Sequence, residues 1–399
     1  MNVLYISGTV PDRRYTFIHR EVEALKEHGI EVSFLVLKPF SGKSHTVGQH
    51  TCYYPALNPI YWILYPLLNV IIYKRSLLFS NELFKILNSI DTSKTNRFRA
   101  FLGAVFIESA LYRLYKSGIK FSHIHSHHLF AATLFTPCIA RLLDSKYSLT
   151  LHTLSHYYTP LFLEKCIQNA IFNRGVTKET VSFIKQFKQP DAVYIPNAVA
   201  IEAFPQNNKV IKNRISILAI GKLLDKKGFD VLIECCKIID QRNIEFECSI
   251  IGEGPEHANL VGLIKQYHLN DKVKILPFKE FNDLLTDFMH ASVLVMPSRE
   301  PQRSTRDGLP TVILEAMAMK LPVIASDYAG ISDVVIHNKT GILIESKQPQ
   351  AMANAVIQLF ENKTLAAEFA ENAFNHIKKN YSLNETIQQL SELFKRQNS

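Results

Sequence analysis

Residues 307–318 read DGLPTVILEAMA, which predicts a turn that runs directly into a helix. Gly308 permits the turn, Pro310 suits the first helical position, and residues 311–319 have a helical composition. The first N–H groups of such a helix have no partner inside it and attract phosphate. Glu315, about one turn in, can accept hydrogen bonds from neighbouring sugar hydroxyls. The predicted ligand is therefore a nucleotide sugar.

The composition is that of a globular protein of two domains. The chain has 399 residues, of which 47% are hydrophobic and 20% charged, enough for two domains of about 200 residues. A net charge of +9 suggests an anionic partner, namely nucleic acid, an acidic membrane surface or a phosphorylated substrate. No RNP, zinc-finger or basic helix–turn–helix pattern occurs, so no nucleic-acid partner is predicted.

The cysteines and the first residues indicate a reducing compartment. The six cysteines form no CxxC pair and lie in apolar runs, as expected of reduced thiols in a cytosol. The apolar run at residues 2–8 is short and lacks a basic leader, so it is interpreted as a first core strand. The predicted location is cytoplasmic.

Short apolar runs alternate with amphipathic stretches, which predicts an α/β fold with parallel sheets. Helices are expected at 17–28, 101–116 and 129–143. Strands are expected at 3–6, 31–37, 123–125, 147–151, 193–195, 215–220, 247–251, 273–275, 293–296, 322–325 and 341–344. We expect two Rossmann-like lobes, 1–196 and 197–379, with a hinge at 196–198 and 205–212. Lobes that face each other would form a cleft, and ligands bind at the carboxyl ends of parallel strands.

The segment between Lys43 and Lys74 has no charged residue and is rich in aromatic side chains at 53–73. Its prolines argue against a transmembrane helix. One interpretation is an interfacial element that inserts into a bilayer, followed by basic residues near anionic headgroups: Lys74, Arg75, Lys85, Arg97 and Arg99. The other is a buried helical hairpin of the first lobe, and both stay open.

The turn at 221–228 is rich in lysine and follows a strong strand. Such a turn can offer amides and ammonium groups to a diphosphate, although a solvated loop is the commoner explanation. Because this turn lies in the same lobe as residues 307–318, diphosphate binding is favoured over a solvated loop. A turn at 252–255 is predicted to be structural, and one at 277–280 could flank a base.

Histidines cluster at His123, His125, His127, His128, His152 and His156. In the run 123–127 every second residue is a histidine, which places His123, His125 and His127 on one face of a strand. No further metal ligands follow in a known spacing, so no metal site is predicted. His152 directly follows a strand and is the stronger ligand-facing candidate; the alternative is a hydrogen-bonded core histidine. The chain lacks GxGxxG, which disfavours a dinucleotide dehydrogenase, and lacks Asp-x-Asp, so neither cofactor nor metal is expected.

The motifs together resemble retaining glycosyltransferase family 4, which has the GT-B fold. The second lobe carries the resemblance at 195–199, 221–228, 251–255, 297–298, 307–318, 322–326 and Gly341. The first lobe is more loosely similar, through 16–17, Glu21, 28–29, 125–127 and 150–152, to members that build bacterial capsule, exopolysaccharide or lipopolysaccharide.

The resemblance implies a role for each motif residue. Glu315 holds the ribose, Asp307 lies beside the transferred sugar, and Lys222 and Lys227 neutralise the diphosphate. His152 faces the donor sugar. The implied catalytic residues are Asp307, His152 and Lys227; the donor-binding residues are Lys222, Lys227, Gly308, Leu309, Pro310, Thr311, Val312, Glu315 and Pro277; Gly8 and Thr16 lie on the acceptor side. A C-terminal helix at 383–395, within 380–399, packs back on the first lobe.

Two positions depart from the family pattern. Asp307 stands where glutamate is usual, which withdraws the carboxylate by one methylene, and Lys222 stands where arginine is common, which replaces a planar fork with a point charge.

The predicted reaction is transfer of a hexose, with retention, from a nucleoside diphosphate sugar to a lipid-linked oligosaccharide. It would take place on the cytoplasmic face of the inner membrane, during synthesis of a bacterial surface polysaccharide, without metal. The alternatives are a nucleotide-sugar epimerase or a phosphorylase on the same fold, and a non-catalytic nucleotide-sugar-binding or scaffold subunit of a polysaccharide assembly complex.

Overall fold

The computed structural model describes residues 1–7, 16–36, 46–47, 50–53, 60–74, 94–127, 131–153, 160–187, 192–205, 213–301 and 308–396. The chain divides into two compact units. The first unit comprises residues 1–196 and 384–399, and the second comprises residues 197–383. Each unit is built around a sheet of parallel strands, so the predicted α/β architecture of two Rossmann-like lobes is confirmed.

The first unit contains an eight-stranded sheet in the order β3-β4-β2-β1-β5-β6-β7-β8. Its strands are β1 (Asn2–Ser7), β2 (Glu31–Val36), β3 (Thr46–Val47), β4 (His50–Tyr53), β5 (His123–His127), β6 (Lys146–Leu151), β7 (Asn173–Gly175) and β8 (Ala192–Tyr194). All neighbours pair in parallel except the short β3 and β4, which are antiparallel. The inner strands are buried along nearly their whole length, as expected of a sheet covered on both faces.

Helices flank this sheet. They are α1 (Thr16–Glu27), α2 (Ile60–Tyr73), α3 (Lys94–Ser117), α4 (Ala131–Leu142), α5 (Pro160–Gln168) and α6 (Lys178–Lys185). The last helix of the chain, α13 (Leu383–Arg396), also packs here, as predicted: the ring of Phe394 is fully buried against Tyr5, His123, His125 and Phe172. The first unit's core therefore includes residues from both ends of the chain.

The second unit contains a six-stranded parallel sheet in the order β11-β10-β9-β12-β13-β14. Its strands are β9 (Ile215–Ile220), β10 (Phe246–Ile251), β11 (Val273–Leu276), β12 (Val293–Met296), β13 (Val323–Ser326) and β14 (Ile342–Ile344). Its helices are α7 (Phe229–Gln241), α8 (His257–Gln266), α9 (Phe281–His290), α10 (Thr311–Ala318), α11 (Pro349–Glu361) and α12 (Lys363–Asn380). Two apolar clusters, one on each face of the sheet, form its core.

Residues 60–73 of the aromatic segment form the helix α2, one face of which packs on α3. The Asn69 amide donates to the backbone carbonyl and the carboxylate of Glu108, at 3.0 and 2.5 Å, and the rings of Tyr65 and Tyr112 stack at 4.4 Å. Among the side chains of α2 that the structure describes, six aliphatic ones are exposed away from α3: Ile60, Leu64, Leu67, Val70, Ile71 and Ile72. The segment thus combines features of both interpretations, since it is a packed helix with an open apolar face. Within the described part of the chain, no helix has the length and hydropathy to cross a membrane.

Candidate functional site

The strand order of the second unit defines the edge of its sheet at which a ligand-binding crevice is expected. The chain runs outward from β9 in one direction to β10 and β11, and in the other direction to β12, β13 and β14. The loops after β9 and β12 therefore diverge at the carboxyl ends of adjacent strands, where open parallel sheets bind ligands. The described residues of these loops are 221–228, 297–301 and 308–310, which belong to or adjoin the predicted motifs at 221–228, 297–298 and 307–318.

Backbone contacts hold the two loops together. The loop after β9 contains a 3-10 turn, Asp225–Lys227, and then Gly228 in a left-handed conformation at φ +66°. A Cβ on Gly228 would lie 2.0 Å from the carbonyl oxygen of Pro297, so this close approach requires glycine. The Arg299 backbone N–H donates to the Lys226 carbonyl at 2.9 Å.

The Arg299 guanidinium reinforces this junction. It pairs with Asp230 at 2.7 Å and with Asp225 at 2.5 Å, and its side chain is only 13% exposed. Arg299 therefore fixes the start of α7 and the lysine-containing turn against the loop after β12. Its position between two predicted motifs gave no signal in the sequence, because the two aspartates are 74 and 69 residues away.

The start of α10 corrects one detail of the prediction. Pro310 is the cap residue, with ψ of 115°, rather than the first helical residue, and the helix begins at Thr311. Proline has no side-chain oxygen with which to cap the helix, so the first N–H groups keep their capacity to bind an anion. Leu309 and Val312 are buried, whereas Gly308, Pro310 and Thr311 are half-buried.

Glu315 lies one turn into α10 and is 6% exposed. Its two carboxylate oxygens are hydrogen-bond acceptors of the kind that bind paired hydroxyls. Lys222 and Lys227 both lie in the loop after β9, where Lys222 is exposed and Lys227 is half-buried. The aliphatic part of the Lys227 side chain packs beside Gly221, since a Cβ added to Gly221 would lie 3.5 Å from Lys227 Cε. Pro277 is exposed directly after β11.

Asp307 and Gly8 lie outside the described residues, as do His128, His156 and the part of the hinge at 206–212. Thr16 is the first residue of α1, which begins on the carboxyl side of β1. The roles of Asp307, Gly8 and Thr16 stay predictions.

The first unit has its own topological reversal, between β1 and β5, and a buried ion pair lies beside it. Glu21 comes from α1, which follows β1, and Arg174 from β7. Arg174 Nη1 donates to Glu21 Oε2 at 2.5 Å, and its Nε and Nη2 donate to the carbonyls of Ile195 and Pro196 at 2.8 and 3.0 Å. Burial would raise the pKa of Glu21, but the Arg174 guanidinium and His127 outweigh it and hold the pKa below its usual range.

A chain of imidazoles extends from this carboxylate to the end of β6. His127 Nε2 lies 3.0 Å from Glu21 Oε1, and His127 Nδ1 lies 2.8 Å from Nε2 of His152. The two rings stack, with centroids 5.2 Å apart. The Tyr5 hydroxyl also donates to Glu21 Oε1, at 2.9 Å. His152 thus lies at the carboxyl end of β6 and is hydrogen-bonded within the core, and its contact with a ligand stays a prediction.

His123 and His125 continue the same strand face into the core. Both lie within hydrogen-bond distance of the Ser148 hydroxyl, at 2.7 and 2.6 Å, and His125 also contacts Thr150 at 2.8 Å. Burial is the main cause that lowers the pKa of both rings, to about 3 for His123, so both are neutral. Among the described residues, no group of three histidine, cysteine or carboxylate side chains is arranged to hold a metal ion.

Sequence reasoning gave no role to Arg174 or to the link between Glu21 and His127. The bonded atoms come from residues 153 and 106 positions apart, which no local pattern can reveal. One signal was available: an arginine in the run Phe172-Asn-Arg-Gly-Val176, between apolar residues, indicates a buried charge that needs a partner.

Residues 200–376 match the family model described as Glycosyl transferases group 1. The match covers most of the second unit, including both loops beside β9 and β12. The predicted motifs at 221–228 and 307–318 lie within the matched residues.

The chain is also similar to individual proteins of known name and to solved structures. Over 182 residues, the chain is 30% identical to the amylovoran biosynthesis glycosyltransferase AmsK of Erwinia amylovora; the alignment covers 46% of this chain and 45% of the relative, so the chain spans less than half the relative's length. Sucrose-phosphate synthase from Thermosynechococcus elongatus superposes with a TM-score of 0.75 at 16% identity, covering 99% of this chain and 98% of that chain. Anabaena Alr3699/HepE in complex with UDP-glucose superposes with a TM-score of 0.70 at 15% identity, and the superposition covers 99% of this chain and 100% of that chain. The predicted GT-B fold is confirmed.

Proposed function

We propose that this protein is a retaining glycosyltransferase of the family 4 type, which transfers a hexose from a nucleoside diphosphate sugar during synthesis of a bacterial surface polysaccharide. One observation carries the proposal. The loops after β9 and β12 bring Lys222, Lys227 and the start of α10, with buried Glu315, to one edge of the second sheet. HepE, a structural neighbour, has been crystallised with UDP-glucose, which is the kind of donor this edge suits.

The proposed chemistry depends on the leaving group. As the bond between C1 of the sugar and the diphosphate oxygen breaks, negative charge accumulates on the diphosphate. Lys222, Lys227 and the N–H groups at the start of α10 stabilise that charge more strongly in the transition state than in the bound donor. Lysines and a helix start supply the positive charge, so we propose that no metal ion takes part.

The acceptor is proposed to be a hydroxyl of a lipid-linked oligosaccharide. Its oxygen forms the new bond to C1 on the face that the diphosphate leaves, which retains the anomeric configuration. The hydroxyl proton passes to the departing diphosphate, so the step needs no covalent enzyme intermediate.

The proposal is tested with purified protein and a panel of UDP-, GDP- and dTDP-hexoses, including UDP-glucose. We expect one donor to be transferred to a lipid-linked acceptor, or slowly hydrolysed without it, and NMR of the product to show a retained anomeric configuration. EDTA should leave the rate unchanged. Tight binding of a donor with neither transfer nor hydrolysis would instead support a non-catalytic scaffold subunit.

Glu315→Ala should weaken donor binding. Loss of hydrogen bonds from a charged acceptor costs about 2 kcal/mol, so the dissociation constant of the donor should rise roughly 30-fold. Isothermal titration calorimetry measures this change. Glu361→Ala, at an exposed position on α11, is the matched control and should bind as the wild type does. Equal affinities of the two variants would remove Glu315 from the site.

We further propose that the exposed face of α2 places the enzyme on the cytoplasmic face of the inner membrane. Ile71 and Ile60 are 72% and 67% exposed, which is unusual for aliphatic side chains on one helix. Residues 54–120 contain nine basic and three acidic residues, and so carry six of the chain's nine net positive charges. In α2 and α3 the only acidic residue is Glu108, which is fully buried, so the surface of this helix pair suits an anionic bilayer.

The double variant Leu67→Gln, Ile71→Gln should lose membrane affinity. Each exposed aliphatic side chain contributes about 1 kcal/mol on insertion, so binding should weaken about 30-fold. Co-sedimentation with vesicles of 30% phosphatidylglycerol in phosphatidylcholine provides the measurement, and Ile336→Gln, at an exposed position in the second unit, is the control. Unchanged binding of the double variant, or a wild-type dimer that the double variant converts to a monomer, would contradict the proposal.

A further inference from the structure

Two carboxylates lie within the segment that is proposed to bind the diphosphate. Besides its three lysines, the run 221–230 contains Asp225 and Asp230. Asp225 is the first residue of the 3-10 turn, and Asp230 lies in the first turn of α7, where a carboxylate stabilises the positive end of the helix. Both repel a diphosphate that binds to this segment, because like charges repel. Two residues that suit the local fold therefore oppose the binding of an anion.

The Arg299 guanidinium pairs with both aspartates at once. Nη1 donates to Asp230 Oδ2 at 2.7 Å, and Nη2 donates to Asp225 Oδ1 at 2.5 Å. Partial burial would lower the pKa of Arg299, but the hydrogen bonds to Asp230 and Asp225 outweigh it and raise the pKa. The guanidinium is therefore charged, and the three side chains together have a net charge of −1 in place of −2.

The two loops do not depend on this side chain alone for their connection. The Arg299 backbone N–H donates to the Lys226 carbonyl at 2.9 Å, and Gly228 closely approaches the carbonyl of Pro297. The Leu232 N–H donates to the Gly228 carbonyl at 3.3 Å, which fixes the first turn of α7. What the guanidinium adds to these backbone contacts is mainly a positive charge.

The guanidinium is not directed at a ligand. The Arg299 side chain is 13% exposed, and both of its terminal nitrogens donate to carboxylates. An arginine that bound a diphosphate itself would present these two nitrogens to phosphate oxygens in the same forked geometry. Any effect of Arg299 on an anion therefore passes through the charges of Asp225 and Asp230.

We propose that Arg299 is a positioning residue that compensates the charges of Asp225 and Asp230, so that the lysine-containing turn attracts the diphosphate of the donor. The inference rests on the proposed function for the identity of the anion. Residues 221–230 and Arg299 together carry four basic and two acidic side chains, a net charge of +2. Loss of the guanidinium would leave a net charge of +1 and two uncompensated carboxylates in the segment.

Arg299→Met tests the inference by calorimetric titration with UDP, GDP and dTDP. At about 20 mM salt, the affinity for the nucleotide that the wild type binds should fall about tenfold, because the diphosphate carries several negative charges. At about 500 mM salt the deficit should shrink to about twofold, because salt screens the interactions between exposed charges. A deficit caused by altered loop geometry alone would persist at both salt concentrations.

Removal of the two carboxylates separates the charge of Arg299 from its attachment of the loops. The double variant Asp225→Asn, Asp230→Asn, which retains Arg299, should bind the nucleotide severalfold more tightly than the wild type at low salt. The triple variant that adds Arg299→Met retains only the three lysines, a net charge of +3, so its affinity should equal or exceed that of the wild type. If the guanidinium served only to attach the loops, both variants would bind more weakly, because both lose the ion pairs. The double variant also tests the inference if Arg299→Met alone does not fold.

Arg214→Met is the matched control. Arg214 forms an ion pair with Glu247 and directly precedes β9, so the variant removes the same charge from the amino edge of the same sheet. It should bind the nucleotide as the wild type does at both salt concentrations. An equal loss of affinity in Arg214→Met and Arg299→Met would show that only the overall charge matters, and would overturn the inference.

The two proposals fail in different ways. If the wild type bound none of the nucleotides, the proposed function would be refuted and the inference with it. Wild-type affinity in Arg299→Met at low salt, or a triple variant as weak as Arg299→Met, would refute the inference while the proposed function stands.

Discussion

Replacing Arg174 with methionine is expected to lower the free energy of unfolding by about 3–5 kcal/mol at neutral pH. The substitution leaves the Glu21 carboxylate, 4% exposed, without its cation in the core. It also removes the donors to the carbonyls of Ile195 and Pro196. Urea denaturation followed by circular dichroism measures the loss.

The pH dependence of this loss identifies its cause. In the wild type the pKa of Glu21 is depressed, so its stabilising contribution is complete above the ordinary carboxyl pKa of about 4 and is lost progressively as the pH falls from there towards the lower pKa of the folded state. Without Arg174, burial raises the pKa of Glu21, so protonation on acidification should relieve the penalty. The deficit of Arg174→Met should therefore shrink between neutral pH and pH 5.

Two control variants compare the buried ion pair of Glu21 and Arg174 with an ion pair on the surface. Lys320 and Glu371 form an ion pair at 2.6 Å with both side chains partly exposed, and Lys320→Met should cost less than about 1 kcal/mol. The double variant Glu21→Leu, Arg174→Met should recover part of the loss, because no buried charge remains. A deficit in Arg174→Met no larger than that of Lys320→Met would contradict the assignment.

Gly228→Ala is expected to have the second large effect, on both stability and donor binding. The left-handed backbone alone costs a non-glycine residue about 1 kcal/mol or more, and the new Cβ would lie 2.0 Å from the carbonyl oxygen of Pro297. The loops after β9 and β12 must then separate, which moves Lys227 away from the start of α10. Donor affinity should fall at least about tenfold, with a loss of roughly 2–3 kcal/mol in stability.

The chain offers a matched series of glycines for this prediction. Gly29 shares the left-handed backbone, but an added Cβ meets nothing within 4 Å, so Gly29→Ala should show the backbone cost alone. Gly262 lies in α8 with open space around it, and Gly262→Ala should be neutral or stabilising. Thermal unfolding and calorimetric titration of the three variants measure the series. If all three behaved alike, the close approach to Pro297 would have no energetic role.

The sequence was most informative where apolar runs were long and local. The strands β9 and β12 were predicted with their observed bounds, because Ile215–Ile220 and Val293–Met296 are continuous runs between turn residues and are buried at every residue except Ile220. The segments after these strands could be assigned to one edge, since parallel strands all end on the same side of a sheet. The donor-side loops were therefore identified before their contacts were known.

The parts that could not be predicted depend on contacts distant in sequence. The strand β7 was missed because Asn173–Gly175 is three residues long, has no apolar periodicity and contains an arginine. The partner of that arginine, Glu21, lies on a helix 153 residues earlier. For the same reason the ion pairs of Arg299 could not be predicted, although they connect the two loops whose positions were predicted. Local patterns can locate strand ends, but they do not determine which charges meet there.

The burial of Phe394 has a consequence for biosynthesis. Its ring fills the space between Tyr5, Phe172 and two core histidines, so the first unit's interior stays incomplete until residue 394 has been translated. The ribosome finishes the entire second unit before that ring emerges. The half of the chain that is made first is therefore the half that completes its folding last.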